Sequence, residues 1–352
     1  MIRSLITLPE LAAYDNLVLA TWKAARGKRQ RPAVSRFLDD LDGSLARLGR
    51  SILDGTAPRG ACRHFIIHDP KRREITAVCF ADRVLHHAIL NRAESRFERM
   101  LVDSTYACRP GKGVHAAVAR VQSNLRRWPW LVKIDIDGYF PSIDHTRLKR
   151  MLAGRFKGRG FLDLLARIID RGSGDPSGRG LPIGALTSQH FANAYLDPAD
   201  RWLLGHPDVC GHVRYMDDIV WWCPSRATAL ATLDGVRALL ADDLVLAIKS
   251  GVHVGPSAQG LTFCGFRVRP GVILASSRKL SRYRAGLKRI ETAWAGGEVG
   301  EDETQRASEA LLTTLAAAET LGFRRRLGAI PDDGDIGGRL CSIGSGCGSK
   351  QA

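Results

Sequence analysis

What this chain of 352 residues lacks narrows its class before any motif is read. Its 8 cysteines (Cys62, Cys79, Cys108, Cys210, Cys223, Cys264, Cys341 and Cys347) are scattered, and none forms a Cys-x-x-Cys pair. That argues against a zinc site and, inside a cell, against a disulfide framework. No apolar run is long enough to span a bilayer. Met1-Ile2-Arg3 leads into a helix-like segment with Pro9, Glu10 and Asp15 instead of a secretory leader, so the expectation is a cytoplasmic protein with no membrane association. There is no internal repeat and no Gly-x-x-x-x-Gly-Lys-Ser/Thr run, which argues against a nucleotide-hydrolase loop. Acid is also scarce: 36 Asp and Glu stand against 52 Lys and Arg, a net charge of +16. Such an excess attracts polyanions, nucleic acid first. With 45% hydrophobic and 25% charged residues, the composition is that of a globular chain, long enough for two or three lobes.

What is present alternates between helical and strand periods. From about Leu8 to Leu53 apolar residues recur at three- and four-residue spacing, interrupted by the basic loop Arg26 to Pro32, which suits either solvent or a phosphate. Arg63 to His68 and Glu74 to Phe80 read as a hairpin whose tip carries Lys71, Arg72 and Arg73, cations able to reach over a triphosphate. A helix follows from Asp82 to Phe97, with His86 and His87 as packing residues. The Gly-rich loop Thr105 to Gly113 opens a helix at Val114, and its amides with Arg109 and Lys112 suit a phosphate.

Further on, Thr187 or Ser188 is expected to cap a helix that buries Phe191, Ala194 and Tyr195, and Gly184 permits close backbone approach. Ala227 to Leu240 is helical; Leu244 to Lys249 and Leu261 to Val268 look like strands. Arg278, Lys279, Arg282, Arg284, Lys288 and Arg289 share a basic helix, and a second helix is expected around Leu311 to Leu321. Pro331 to Ala352 is rich in Gly, Ser and Asp and reads as a flexible tail.

Two stretches carry acids where apolar strands end. Trp130 to Asp137 is apolar and β-branched until Asp135 and Asp137. Gly211 to Cys223 reads as a hairpin with Tyr215-Met216-Asp217-Asp218 at its turn. Adjacent carboxylates resist ionising together unless a cation neutralises them. Asp135 brought beside Asp217 and Asp218, with basic arms around them, is the arrangement that two-metal phosphoryl transfer requires.

From about Phe65 to Val268 the chain resembles the reverse transcriptases. Ile134-Asp135-Ile136-Asp137-Gly138-Tyr139-Phe140 is similar to their first palm motif, Gly180-Leu181-Pro182-Ile183-Gly184 through Ser188-Gln189 to the second, and Tyr215-Met216-Asp217-Asp218 to the third. The resemblance implies an α+β right-hand polymerase: fingers over 1–130, a palm with an antiparallel sheet over 131–270 with an interleaved finger segment 151–180, a helical thumb over 271–330 and the tail 331–352. It implies that Asp135, Asp217 and the carbonyl of Ile136 hold two Mg²⁺ ions, with Mn²⁺ as a substitute, and that Asp218 adjoins them as a further catalytic or metal-contacting acid. Lys249 sits like the lysine that protonates pyrophosphate, and Phe140 like the aromatic that collides with a ribose 2′-hydroxyl. Lys71, Arg73, Ile183, Gly184 and Gln189 complete the nucleotide site. Arg109, Lys112, Phe263, Gly265, Arg278, Lys279 and Arg282 are expected to meet template and primer, Phe263 to Phe266 resembling a primer-gripping hairpin. Asp144 is expected to cap a helix.

Ile183 and Gln189 depart from the retroviral pattern. Ile-Gly-x-x-x-Ser-Gln is similar to the reverse transcriptases of diversity-generating retroelements, which copy template RNA with errors at adenines, act on deoxynucleoside triphosphates, form an RNA/cDNA hybrid and work with a small helical accessory protein. Loss of a glutamine side chain at position 183 would relax the policing of base pairing. Two alternatives stay open: another bacterial reverse transcriptase, intron-related or defensive, and a non-catalytic RNA-binding protein on the same fold. The latter predicts loss of one of Asp135, Asp217 or Asp218, and all are present.

Overall fold

The apolar run Ile219 to Cys223 is buried on both faces of its strand, and the architecture follows from that fact. The computed structural model describes residues 3–68, 72–172 and 177–320, together with Phe323 and Leu327. An N-terminal body comprises β1 (Ser4–Leu5), α1 (Leu8–Ala12), α2 (Tyr14–Ala25), α3 (Pro32–Asp39), α4 (Leu41–Leu53), the hairpin β2 (Arg63–His68) and β3 (Arg72–Ala77), α5 (Phe80–Met100) and α6 (Val114–Arg127). Next come β4 (Trp130–Asp135), α7 (Tyr139–Ser142), α8 (His145–Ala153), β5 (Phe156–Lys157), α9 (Arg159–Gly172), α10 (Leu186–Tyr195) and α11 (Asp197–Gly205). Then follow β6 (Gly211–Tyr215), β7 (Asp218–Cys223), α12 (Arg226–Asp242) and β8 (His253–Pro256). The chain continues through β9 (Leu261–Phe263), β10 (Phe266–Val268) and β11 (Ile273–Ala275) to α13 (Ser277–Ala295) and α14 (Glu301–Thr313).

The central sheet is antiparallel in the order β6-β7-β4-β8. Successive strand residues point to opposite faces, so the sheet separates two cores. Trp221, Val132 and Ile134 face the larger, shared with α5 and α10 to α12. Trp222, Val220 and Leu131 face the smaller, closed by α6 and by Phe263 and Phe266 of a second sheet, β11-β10-β9. The indole N–H of Trp221 donates to Thr232 Oγ1 at 3.0 Å, which satisfies a polar atom within the larger core. Among the described residues no helix is long and apolar enough to cross a membrane.

Three expectations are corrected. Leu244 to Lys249 is not a strand: Val245 takes φ +53, which breaks the extended run, and Leu246 N turns back to Leu240 O at 2.8 Å. A single bridge, Ile136 with Ile248, remains, and the sheet's edge is β8 instead. The helix after α13 lies earlier than Leu311 to Leu321, because Glu301, Asp302 and Glu303 form a favourable acidic first turn after Gly300. Neither Thr187 nor Ser188 caps α10; the N-cap is Ala185, without a side-chain bond, and both hydroxyl residues are buried within the helix. The cation Lys71 and the segment 331–352 lie outside the described residues.

Thr187 has another partner: its hydroxyl meets His86 Nδ1 at 2.8 Å, fastening α5 to α10. Burial, then the charges of His87 and Arg83, push His86 down to about 4. Between its ordinary 6.5 and about 4 the unfolded chain takes up a proton that folded His86 refuses, so unfolding free energy falls as the pH drops through that window. Urea unfolding at about pH 7 and about pH 5 should show this loss, and His86→Asn should show a smaller one. Equal losses in the two proteins would contradict the assignment.

Candidate active site

The site forms where β4 ends against the β6–β7 hairpin. Tyr215 and Asp218 pair across the hairpin, leaving Met216 and Asp217 as a two-residue loop. Met216 takes φ +54, a conformation that non-glycine residues seldom adopt. In the adjoining pair Asp135 lies directly opposite Asp218, and Ile136 N donates to Asp217 O at 3.4 Å. The three acids therefore lie together where the paired strands β4 and β7 meet the hairpin turn.

Like charges opposite one another destabilise a sheet, and two lysines answer them. Lys249 Nζ donates to Asp135 Oδ1, while its backbone N donates to Asp135 O at 2.9 Å. Lys133, on the same face of β4 as Asp135, lies 3.2 Å from Asp218 Oδ1 and donates to Thr262 O at 2.9 Å. The Lys133 contact is an ion pair without hydrogen-bond alignment, since the buried Asp218 Oδ1 accepts no hydrogen bond. Burial pushes the Asp218 carboxyl up to about 6 against the pull of Lys133, and Asp135 and Asp217 add to the rise.

Hard carboxylate oxygens with an orphaned buried acceptor suit a divalent cation of the Mg²⁺ kind. Among the described residues no three His, Cys, Asp or Glu side chains stand together as a ready-made cage. The fit lies in the donor chemistry: acids gathered at the ends of β4 and β7, two of them already drawing cationic partners.

The hairpin is held from behind. Arg214 of β6 is wholly buried, as is its partner Asp200 of α11. Its Nε donates to Asp200 Oδ1 at 2.7 Å, and its Nη2 to Asp200 Oδ2 at 2.7 Å and to Asn193 O at 3.0 Å. Its Nη1 reaches Asn193 Oδ1 and the Met216 carbonyl, each at 3.1 Å. Burial alone would raise the Asp200 carboxyl; the Arg214 guanidinium and the adjacent His212 overcome it and hold the acid well below the usual carboxylate range.

Comparison with known proteins gives this geometry its family. Residues 68–251 match the family described as "Reverse transcriptase (RNA-dependent DNA polymerase)". This chain belongs to the reverse transcriptase family. It is 26% identical over 205 residues to the group II intron-encoded protein LtrA of Lactococcus lactis subsp. cremoris, which covers 54% of this chain and 33% of LtrA. It is 26% identical over 156 residues to protein YkfC of Escherichia coli K12, covering 42% of this chain and 39% of YkfC. The chain thus spans about a third of LtrA's length. Apo telomerase from Candida tropicalis shares the fold, with a TM-score of 0.50 at 11% identity over 76% of this chain and 59% of that one. The fold is the α+β fold of these polymerases.

Within this member of the family the other expected residues fall into three groups. Phe140 packs edge-on to Tyr139, and its carbonyl accepts from Leu181 N at 2.8 Å, joining the first motif to the second. Ile183 O accepts from Thr76 N at 2.9 Å, so the β2–β3 hairpin is docked on the second motif. Gly184 takes φ +113 there, and a Cβ would stand 3.2 Å from Thr76 O. Gln189 Oε1 accepts from the Cys108 thiol at 3.3 Å. Arg73 belongs to β3 by its backbone.

On α13, Arg278 and Arg282 are exposed, while the Lys279 ammonium lies 4.0 Å from the centre of the Phe266 ring and is lowered by burial. Gly265 takes φ +79 beside Cys264 at φ +48, which makes the β9–β10 turn. Asp144 caps α8, accepting from Arg147 N at 2.8 Å.

Three residues do not face a nucleic acid as expected. Arg109 is turned inward, donating to Glu98 Oε2 at 2.9 Å, Val102 O at 2.7 Å and Thr105 O at 2.9 Å. Lys112 pairs with Asp103 Oδ1 at 2.7 Å over the Tyr106 ring. Phe263 is fully buried in the smaller core. The first two brace the loop at 104–113, whose acidic partners are nearby in sequence but give no motif. Lys133, Arg214, Asp200 and Asn193 were not singled out from the sequence. The strand period places Lys133 on the face of Asp135, and a lone arginine in an apolar strand marks Arg214 as needing a partner.

Proposed function

We propose that the protein is an RNA-directed DNA polymerase that makes cDNA on a template RNA from deoxynucleoside triphosphates. The observation that carries this is the meeting of Asp135 with Asp217 and Asp218 at the ends of β4 and β7 in a chain of the reverse transcriptase family. In this reading residues 1–130 are fingers, 131–270 a palm with the finger segment 151–180, and 271–330 a thumb.

Asp135, Asp217 and the Ile136 carbonyl would hold two Mg²⁺ ions, with Mn²⁺ as substitute. When bound, the ions would lower the pKa of the primer 3′-hydroxyl and stabilise charge on the phosphate in transfer. Asp218, its Oδ1 3.2 Å from Lys133 and without a hydrogen-bond donor, would adjoin them as a further metal-contacting acid. Lys249, anchored at Asp135, is the acid at hand for the leaving pyrophosphate. Phe140 would stand against a ribose 2′-hydroxyl. Arg278 and Arg282 on α13 present charge to the phosphates of the hybrid, a grip without strong sequence preference.

The subtype we favour is the diversity-generating retroelement enzyme, error-prone at template adenines and working with a small helical accessory protein. The support is Ile183-Gly184 with Ser188-Gln189. Likeness to LtrA favours a second reading, a reverse transcriptase of the group II intron kind.

Primer extension on RNA tests the activity: Asp217→Asn should lower the Mg²⁺-dependent rate by at least about 10³-fold, and retained extension would remove the proposal. Sequencing the cDNA tests the subtype. Ile183→Gln should lower misincorporation opposite template adenine several-fold; an unchanged error spectrum would leave the intron-like reading.

A further inference from the structure

Arg214 sits one residue before Tyr215, at the base of the catalytic turn, yet its side chain points away from solvent into the body of the protein. Three chain segments converge on it, one of them, around Thr105, far away in sequence. Helix α11 supplies Asp200, which also accepts from Thr105 Oγ1 at 3.0 Å and lies 3.3 Å from His212 Nε2. Helix α10 supplies Asn193, whose side-chain NH₂ donates to Ala107 O at 2.7 Å. The stretch around Thr105 runs parallel to β6, with Tyr106 N donating to Arg214 O and Arg214 N to Ser104 O, each at 2.9 Å.

Every N–H of the guanidinium finds an acceptor in this network, and one of those acceptors is the carbonyl of Met216. Met216 holds the unfavourable positive φ that swings the next residue, Asp217, toward β4. A residue keeps such a conformation when its surroundings over-determine it. Here the carbonyl is tied to a fully buried arginine that cannot move without stranding its charge.

We propose that Arg214 is a positioning residue for the reaction: clamped by Asp200 and Asn193, it fixes the Met216 carbonyl and so sets the place of the Asp217 carboxylate relative to Asp135. The proposal rests on the polymerase reading of the site. An ion pair that served stability alone could be replaced by apolar side chains of similar size with the fold and the active site intact. A positioning device could not, because the bond to Met216 would be lost.

The test is the double variant Arg214→Met/Asp200→Leu, with Arg214→Lys beside it. Lysine keeps the charge near Asp200 but cannot span Asp200, Asn193 and Met216 together. Each folded variant, judged by its melting curve and its affinity for an RNA–DNA primer-template, should lose kcat on the order of 10²-fold with the KM for deoxynucleotide changed less than about threefold. Mn²⁺ binding, followed by electron paramagnetic resonance in a complex with a chain-terminated primer, should weaken by about tenfold.

Variants that keep kcat and Mn²⁺ affinity within about twofold of the parent overturn the proposal. If neither variant folds, the pair is a folding determinant and the proposal also falls. A parent protein that fails to extend a primer on RNA defeats the polymerase reading instead, a result separable from the others because it needs no variant.

Discussion

The structure turns on a buried charge. Arg214 and Asp200 are withdrawn from water completely, and a guanidinium in such a place is tolerable only if its donors are satisfied and its charge is met. Removing one partner of such a pair commonly costs about 3–5 kcal/mol, since the other is left buried and uncompensated. The requirement reaches far along the chain. It draws α11 against β6, brings the end of α10 beside it, and stitches the stretch around Thr105 to the strand edge. Elements nearly a hundred residues apart are thereby fixed around the turn that carries Asp217.

In front of that anchor the problem is reversed, because charge must be available there. Asp135 and Asp218 face each other across β4 and β7, an arrangement that a sheet resists. Lys249 and Lys133 make it stable, the one at the end of the loop after α12, the other two residues before Asp135. The apolar strands lie behind: two tryptophans of β7 fill the cores on either face, and burial lifts the Asp218 carboxyl. Packing and electrostatics are here one design.

Much of this could be read from residue order. The two acid-ended apolar runs, the turn between Tyr215 and Asp218, and the cap at Asp144 each obey a local rule, so each is visible locally. What escaped detection depends on tertiary contact. Cations in a glycine-rich loop look alike whether they wait for a phosphate or, like Arg109 and Lys112, are spent on Glu98 and Asp103. Thr187 looks like a cap until His86 arrives from another helix. Leu244 to Lys249 has strand composition, but Val245 takes a positive φ and Leu246 N bonds back to Leu240 O. Asp200 and Asn193 carry no signal, because the partner that gives them meaning lies on a later strand.

The central claim is that the acids of β4 and of the hairpin turn form a single metal-dependent polymerising centre. Anomalous diffraction from a Mn²⁺ complex with template RNA, a chain-terminated DNA primer and the next deoxynucleotide addresses it most directly. The account predicts two peaks bounded by Asp135, Asp217 and the Ile136 carbonyl, with Lys249 moved off Asp135 toward the terminal phosphates. An ordered nucleotide with its metal held elsewhere would contradict it.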